Sequence, residues 1–454
     1  MQRPSAREQV RRDALPLPQN RGGTINSPPK IRFESSFIMK LFSLFIAVFL
    51  CAVAFCQDAA PTQDPYPKPI ERSEGVIRVG FVEFASIPTV AGQPQAARMM
   101  LLVDEPGSKR LFVNDMVGPL YTVSYDGKTV TRYLDLNAPE WGYAVESRGG
   151  ERGFQSFAIH PQFNQRGKPG YGKFYTYSDT SQFANPDFDT PGKQHTHDTV
   201  LLEWTAKNPA AARYDGGKPK QLLRWKQPFG NHNAGHVTFN PLSKPGDADY
   251  GLLYFGAADG GSGGDPFKAG QNLKSGFGKI LRIDPLGSNS RNGKYGIPAN
   301  NPFVNKGAEA LGEIYAYGIR NIQRLFWDSK TGAMFMSDIG QNAIEEISPV
   351  TPGANLGWNI WEGSLRYFGR QGAIPGNARA DKSMLYPVVE YDHVDPLLQG
   401  NVAIIGGFVY RGSAVPQLAG KLVFGDNPSG EVCYVSADHL PGGGSGAIRR
   451  VLFE

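Results

Sequence analysis

Cysteine is nearly absent from the sequence, which contains only three in 454 residues. Two of them, Cys51 and Cys56, lie in an apolar stretch near the N-terminus, so Cys433 is alone in the rest of the chain. A single thiol cannot form an internal disulfide, and the sequence contains no Cys-x-x-Cys pair of the kind that binds zinc. We therefore expect a fold stabilised by a hydrophobic core rather than by cross-links or a structural zinc.

Charged residues are also scarce, at 20% of the chain, and the formal net charge of +5 is confined to one end. Residues 1–57 contain eight Lys and Arg against three Asp and Glu, so residues 58–454 are neutral overall. Binding to nucleic acid requires cations clustered on the folded surface, where they neutralise phosphates. Because residues 58–454 carry no net charge, we do not expect the protein to bind nucleic acid.

Long apolar runs are absent except for Leu41–Cys56, which follows Met39 and Lys40. This run is shorter than the about 20 residues of a transmembrane helix and is typical of the apolar region of a signal peptide. We expect cleavage near residues 54–57 and export to the periplasm or the extracellular space, with no stable membrane span afterwards. An uncleaved anchor is the alternative. Residues 1–38 lack periodicity, which favours a true start at Met39 over an extended cationic leader.

Glycine and proline, by contrast, are abundant, at 55 and 35 residues, and strong helical periodicity is absent. This composition is typical of many short strands joined by tight turns. After the leader (1–57) and a Pro-rich linker (58–75), residues 76–454 repeat one unit, a pair of short apolar strands of which the second closes with Asp. The closing residues are Asp115, Asp179, Asp259, Asp338 and, in a looser version, Asp426.

A long repeat built from hairpins predicts the blades of a β-propeller, because each blade needs neighbours to cover its apolar faces. Five units are visible, and we expect an all-β, six-bladed β-propeller with one degenerate blade. A pair of β-sandwiches is the alternative. Whether the last blade is complete is left open, because the sequence ends at Glu454 soon after the fifth unit.

Polar segments interrupt the apolar pattern beside four of the predicted strands. They are residues 150–155, 231–236, 315–321 and 337–347. Propellers bind ligands where the central channel meets one face, so we expect these segments to form one site. Gly260–Gly264 lacks the Lys-Ser/Thr of a phosphate-binding loop, which excludes a nucleotide site there.

The polar segments resemble those of a known family, the soluble PQQ-dependent aldose, glucose and sorbosone dehydrogenases, which are six-bladed propellers related to Hedgehog-interacting-protein-like proteins. The similarity extends from about Val76 to the C-terminus. The segments that carry it occur in the family's order: Glu151–Gly153 with Phe157–Pro161, His232–Gly235, Asp259–Pro266, Gly278–Asp284, Tyr317–Asn321, Asp338–Ile347 and Gly406–Gly412.

The resemblance implies that a sugar hemiacetal is oxidised by hydride transfer to PQQ, with electrons passed on to an external acceptor. It implies that His232 is the general base and that Arg320 is the cation beside the reactive quinone carbonyl. An imidazole titrates near neutral pH and a guanidinium keeps its charge, which suits them to these roles. A structural hydrogen bond for His232 and a salt bridge for Arg320 are the plainer alternatives.

The resemblance also implies cofactor and metal ligands. Four residues are expected to contact the cofactor or to support that contact: Glu151, Asn321, Asp259 and Arg411. The main-chain oxygens of Gly340 and Gln341 are expected to hold Ca²⁺, which prefers hard oxygen ligands. Glu345 and Glu346 are expected either to bind a second calcium or to close the turn.

Two features depart from the family pattern. Glu151 stands where soluble glucose dehydrogenases tend to carry Gln, and Arg411 or Arg449 would have to replace cations that the family places in a later region. The alternative function is therefore a non-catalytic carbohydrate- or protein-binding propeller. A calcium-dependent lactone hydrolase is a lesser alternative.

Overall fold

The computed structural model describes residues 64–454 apart from 94–95, 234, 370–371, 375–377, 399 and 401. The expected leader, its start at Met39 and its cleavage site therefore lie outside the described residues. Short 3-10 helices interrupt an otherwise β-rich chain at Pro139–Trp141, Val304–Glu309, Pro416–Leu418 and Ser445–Ala447. None of the helices in the described ranges has the length and apolar content needed to cross a bilayer.

Five sheets, each running outward from an innermost strand, form the blades of a propeller. Blade 1 consists of β2 (Met99–Asp104), β3 (Arg110–Asp115), β4 (Pro119–Ser124) and β5 (Val130–Asp135). Blade 2 consists of β6 (Phe154–Ile159), β7 (Lys173–Thr180), β8 (His197–Thr205) and β9 (Lys220–Gln227). Blade 3 consists of β10 (Val237–Phe239), β11 (Leu253–Ala257), β12 (Lys279–Ile283) and β13 (Ile314–Tyr317).

The last two blades carry additional strands. Blade 4 consists of β14 (Ile322–Trp327), β15 (Met334–Asp338), β16 (Ile344–Val350) and β20 (Val389–Asp392). Blade 5 consists of β21 (Ile404–Tyr410), β22 (Lys421–Asp426), β23 (Val432–Ser436) and β24 (Arg449–Phe453), with β1 (Ile77–Val79) added in parallel to β24. A small sheet of β17 (Trp361–Glu362), β18 (Leu365–Tyr367) and β19 (Ala373–Ile374) is inserted between β16 and β20.

The closing aspartates predicted from the sequence mark the second strand of every blade. Asp115, Asp338 and Asp426 end β3, β15 and β22, Asp179 lies at the end of β7, and Asp259 follows β11 directly after Ala258. The strands before them are apolar and buried on both faces, as expected for strands covered by neighbouring blades. The propeller and its five repeat units are thus confirmed.

The expected number of six blades is wrong, because the described part of the chain contains five. The remaining strands do not form another blade. Strand β1 extends the edge of blade 5, and β17–β19 form the small inserted sheet. The repeat count of five was therefore also the blade count, and the additional degenerate unit does not occur in the described residues.

The hydrophobic cores lie between consecutive blades. One buried cluster joins blades 1 and 2, and others join blades 2 and 3, blades 3 and 4, and blades 4 and 5. Among the described residues, no such cluster joins blade 5 to blade 1. On the two innermost strands that border this junction, Leu102, Ile405 and Phe408 are exposed by 56%, 37% and 48%. We call these three the seam residues.

The seam residues lie on strand faces that are not covered by a neighbouring blade of the described residues. In β2, Leu101 and Val103 pack into the cluster shared with blade 2, so the side chain of Leu102 points the other way. In β21, Ile404 and Val409 pack into the cluster shared with blade 4. The ring of blades is therefore not closed by a shared core at this junction.

Candidate functional site

The predicted polar segments meet at one face of the propeller. Glu151 precedes β6, His232 precedes β10, and Arg320 precedes β14, so each lies before an innermost strand. The second strand of each blade is antiparallel to the innermost one and returns to the same face, where Asp259 and Asp338 follow or end β11 and β15. The repeat thus brings together residues from three blades that are far apart in sequence.

His232 is buried and is held by hydrogen bonds at both its ring and its backbone. Its Nδ1 lies 2.7 Å from Asp259 Oδ1, and its backbone N–H donates to Glu151 Oε2 at 2.7 Å. A carboxylate accepts only, so Nδ1 carries the proton of this bond, and Nε2 is the ring nitrogen that the bond does not use. The φ angle of His232 is 53°, in the left-handed region that residues other than glycine seldom adopt. The backbone bond to Glu151 helps to hold this conformation.

Asp259 connects His232 to two further groups. Its Oδ1 also accepts the backbone N–H of Gly261 at 2.9 Å, and its Oδ2 accepts the indole Nε1–H of Trp358 at 2.9 Å. The carboxylate is 2% exposed. Both oxygens are thus fixed, and with them the orientation of the imidazole.

Arg320 and Asn321 are anchored through their backbone. Their N–H groups donate to the two carboxylate oxygens of Asp338 at 2.9 and 2.6 Å. The Arg320 guanidinium donates to Ile339 O at 2.8 Å and lies 5.8 Å from the centre of the Trp358 ring. No carboxylate of a described residue forms an ion pair with Arg320, so the salt bridge considered from the sequence is not what the structure shows.

The carboxyl groups beneath Arg320 are buried and close together. Asp338, Glu346 and Glu362 line one small cavity with the side chain of Arg320. Burial raises the pKa of Asp338 to about 7, although the two backbone N–H groups oppose the shift. Burial, and then repulsion from Asp338 and Glu390, raises the pKa of Glu346 well above its usual value. Asp338 and Glu346 therefore bind protons more readily than exposed carboxyl groups do, and a nearby cation would oppose this.

The turn expected to hold calcium is organised by Glu362. Its Oε1 accepts the backbone N–H groups of four successive residues, at 2.7 to 3.1 Å: Gln341, Asn342, Ala343 and Ile344. The N–H of Gly340 donates to Glu345 Oε1 at 3.1 Å. The backbone N–H groups of the turn therefore point towards these two carboxylates. Its carbonyl groups are not used in these bonds. Sequence reasoning missed Glu362, which lies in the inserted sheet and carries no motif of its own.

The structure separates the two glutamates expected at this turn. Glu345 accepts bonds from Gly340 N, from Ile404 N at 2.8 Å and from His393 Nε2 at 2.8 Å, so it closes the turn and ties it to blade 5. Glu346 instead lines the acidic cavity. Of the pair, only Glu346 is placed where it can contribute to a cation site.

Arg411 lies away from the other candidates. It forms a bidentate pair with Asp328 at 2.8 and 2.7 Å and also contacts Asp438 at 3.1 Å. This pairing lowers the pKa of Asp328 to about 2. Arg320 precedes the near end of β14 and Asp328 follows its far end, eight residues later, which is roughly 26 Å of extended chain at about 3.3 Å per residue. Arg449, the other candidate cation, donates to Gly446 O and Ile448 O. The structure brings neither arginine to the site.

Unsatisfied polar atoms at the site fit a polar ligand. Asn321 Oδ1 and Glu362 Oε2 are buried and have no hydrogen-bond partner among the described residues. Such atoms cost free energy unless a ligand, ion or water supplies the missing contact. In the described ranges, no group of three or more His, Cys, Asp or Glu side chains is arranged to hold a metal ion. A calcium ion here would depend on main-chain oxygens and on the ligand itself.

Comparisons with known proteins identify a matching family and several relatives of this chain. The model of the family named Glucose / Sorbosone dehydrogenase matches residues 97–440. The chain is 34% identical to the HIPL1 protein of Arabidopsis thaliana over 309 residues, which are 61% of this chain and 43% of that protein. It is 27% identical to quinoprotein glucose dehydrogenase B of Acinetobacter calcoaceticus over 221 residues, 47% of this chain and 41% of that protein. The chain spans less than half the length of these two relatives.

A solved structure shows the same architecture. The PQQ-bound form of aldose sugar dehydrogenase from Streptomyces coelicolor superposes with a TM-score of 0.54 at 20% sequence identity. The match covers 82% of this chain and 84% of that one. At this identity the likeness shows a common fold.

Proposed function

The chain belongs to the glucose/sorbosone dehydrogenase family, and on this basis we propose that it is an exported quinoprotein that oxidises an aldose-type sugar with PQQ and Ca²⁺. The electrons pass to an external acceptor. The observation that carries the proposal is the arrangement of four residues at one face of the propeller, in which the bond to Asp259 uses Nδ1 of His232 and leaves Nε2 for a ligand: His232, Asp259, Arg320 and Asn321.

His232 performs the proton transfer. Its Nε2 accepts the proton from the oxygen of the sugar hydroxyl while the hydride leaves the carbon that bears this hydroxyl, so that a C=O bond forms. Asp259, which accepts the Nδ1–H, stabilises the imidazolium that forms. Arg320 would place its permanent positive charge beside a bound hydride acceptor, where it would stabilise negative charge.

The remaining polar groups suit a bound quinone and cation. When bound, PQQ supplies the hydride acceptor and Ca²⁺ polarises it as a Lewis acid. Asn321 Oδ1 is buried and has no hydrogen-bond partner among the described residues, so it would accept a hydrogen bond from the ligand. The main-chain oxygens of Gly340 and Gln341 would hold the cation, with Glu346 close enough to the turn to lower the net charge of the site.

The proposal is tested by titrating the cofactor-free protein with PQQ, with and without Ca²⁺, and then adding a panel of aldoses. We expect calcium-dependent binding followed by sugar-dependent bleaching of the quinone absorbance. Failure of folded protein to bind PQQ would contradict the proposal.

His232→Gln tests the assigned base. This variant should lose turnover by a factor of about 10² or more while PQQ binding changes little, because the imidazole acts on the sugar proton. His439→Gln, at an exposed position near the C-terminal end of blade 5, is the control and should retain full turnover. Unchanged turnover in His232→Gln would remove this residue from the mechanism.

The second candidate function is a non-catalytic binding propeller. It is favoured by Glu151, whose Oε2 accepts the N–H of His232 and lies 3.4 Å from Asn321 Nδ2. These groups of the site thus bond to one another, as they would in a protein without a cofactor. Sugar binding to the folded protein without any affinity for PQQ would support this candidate over the dehydrogenase.

A further inference from the structure

Trp358 contacts Arg320 directly and is linked to His232 through Asp259. Its indole Nε1–H donates to Asp259 Oδ2 at 2.9 Å, and the other oxygen of Asp259 binds His232 Nδ1 at 2.7 Å. The face of its ring lies 5.8 Å from the guanidinium carbon of Arg320. A single buried side chain, 3% exposed, therefore links the base to the cation.

The position of Trp358 is fixed by the loop that carries Arg320. Its backbone N–H donates to Gly318 O at 3.0 Å, two residues before Arg320, and its carbonyl accepts Gln271 Nε2–H at 2.6 Å. The indole ring also packs against Tyr367 with ring centres 4.8 Å apart. The indole N–H is thus held in place and does not depend on a bound ligand for its orientation.

We propose that Trp358 is a positioning residue that sets the proton affinity of His232 through Asp259. The indole N–H draws negative charge towards Oδ2, so the carboxylate attracts the imidazolium less strongly than it would alone. We call this chain of bonds from Trp358 through Asp259 to His232 the relay, and losing the indole N–H would strengthen the attraction of Asp259 for the imidazolium form of His232. The catalytic consequence rests on the proposed function, whereas the relay itself does not.

Other charged groups also surround this relay. Glu151 accepts the backbone N–H of His232, and Arg320 lies over the indole. The charge of Asp259 contributes to the raised pKa of Asp265 in the neighbouring loop and of Asp338 on β15. All four are retained when only the indole N–H is removed. The change in His232 can then be assigned to the lost hydrogen bond.

Trp358→Phe keeps an aromatic ring and removes the donor. We expect the pKa of His232, measured by NMR on the full-length cofactor-free protein, to rise by about 0.5 to 1 unit, the equivalent of one hydrogen bond. Trp204→Phe is the matched control, because Trp204 is also buried and donates its indole N–H at 2.9 Å, but to Thr176 in blade 2. An unchanged pKa of His232 in folded Trp358→Phe would overturn the proposal.

A second measurement needs no variant. In the unmodified protein, the indole N–H resonance of Trp358 should shift with the same midpoint as the ring protons of His232. A Trp358 resonance that does not respond while His232 titrates would also overturn the proposal.

A failure of the Trp358 relay can be distinguished from a failure of the proposed dehydrogenase function. If the protein binds PQQ, the acid limb of kcat/KM in Trp358→Phe should move to higher pH by the same amount as the pKa of His232. If it binds no PQQ, the NMR titrations still decide whether the relay exists. The pKa of His232 could rise in Trp358→Phe while the acid limb of its kcat/KM profile stays at the same pH. That result would overturn the proposal that the relay affects catalysis and would leave only its effect in the cofactor-free protein.

Discussion

Two histidines outside the site are buried and uncharged. Burial, reinforced by Lys173, lowers the pKa of His160 to about 4, and burial with Arg324 lowers that of His236 to about 3. Nδ1 of His160 accepts the backbone N–H of Gln162, which only the neutral ring can do. Both residues therefore have to stay unprotonated in the folded protein.

Acid should weaken the fold through these histidines. The unfolded chain binds their protons below about pH 6.5 while the folded chain does not, so the stability they contribute is present above pH 6.5 and is lost as the pH falls towards 4. Between pH 7.5 and pH 5, we expect His160 alone to lower the unfolding free energy by about 2 kcal/mol. Urea unfolding at both pH values should show a smaller difference for His160→Asn than for the unmodified protein.

Exposed His439 provides the control for this measurement, and His439→Asn should show the same difference as the unmodified protein. A pH dependence that is identical in His160→Asn would contradict the prediction.

The sequence predicts candidate residues well where they precede an innermost strand. Glu151, His232 and Arg320 share this position, and the repeat brings them to one face. Arg411 does not meet the condition, because it follows β21 and so lies at the opposite face. Glu362 could not be predicted as a functional residue, because it lies in the inserted sheet of β17–β19, which has no counterpart in the repeat.

At the scale of elements, the turn between β15 and β16 is folded around one carboxylate. Glu362→Ala would leave four backbone N–H groups without their acceptor, and we expect the unfolding free energy to fall by at least about 2 kcal/mol. Hydrogen exchange of residues 341–344 should accelerate at the same time. Urea unfolding and exchange followed by mass spectrometry check the two effects.

Glu362→Gln is the matched variant because its amide oxygen can still accept. It should lose less stability than Glu362→Ala and keep the turn protected from exchange. Equal stability of Glu362→Ala and the unmodified protein would show that the turn is held by other contacts.

The strands that belong to the repeat can be predicted from the sequence. The strands outside the repeat, β1 and β17–β19, cannot. The predicted closing residues Asp115 and Asp338 end β3 and β15. Strands β1 and β17–β19 have two or three residues each, too few for a hydrophobic period to show. Their pairing depends on where the folded propeller places them, which local sequence does not encode.

For the whole molecule, the junction between blades 5 and 1 should contribute little to stability. Phe408 is half exposed there, whereas Phe157 is 1% exposed in the cluster between blades 1 and 2. We expect Phe408→Ala to change the unfolding free energy by less than about 1 kcal/mol and Phe157→Ala to lower it by about 3–5 kcal/mol. Urea unfolding of both variants makes the comparison.

Similar losses in the two variants would mean that blades 5 and 1 pack together in solution. The five repeat units matched the five blades of the described residues, and the expected sixth blade, which no repeat unit supported, was wrong. Each repeat encodes contacts to its two neighbours, but the closing of the ring depends on how the first and last blades meet.

The parallel pairing of β1 with β24 also determines how the protein resists being pulled apart. Ile77 lies beside Val451 and Val79 beside Phe453, so a force applied to Asp64 and Glu454 loads the two strands in shear. Every backbone hydrogen bond between them then carries part of the load at once, instead of opening one after another. The outer edge of blade 5 thus acts as a mechanical clamp between the two ends of the described chain.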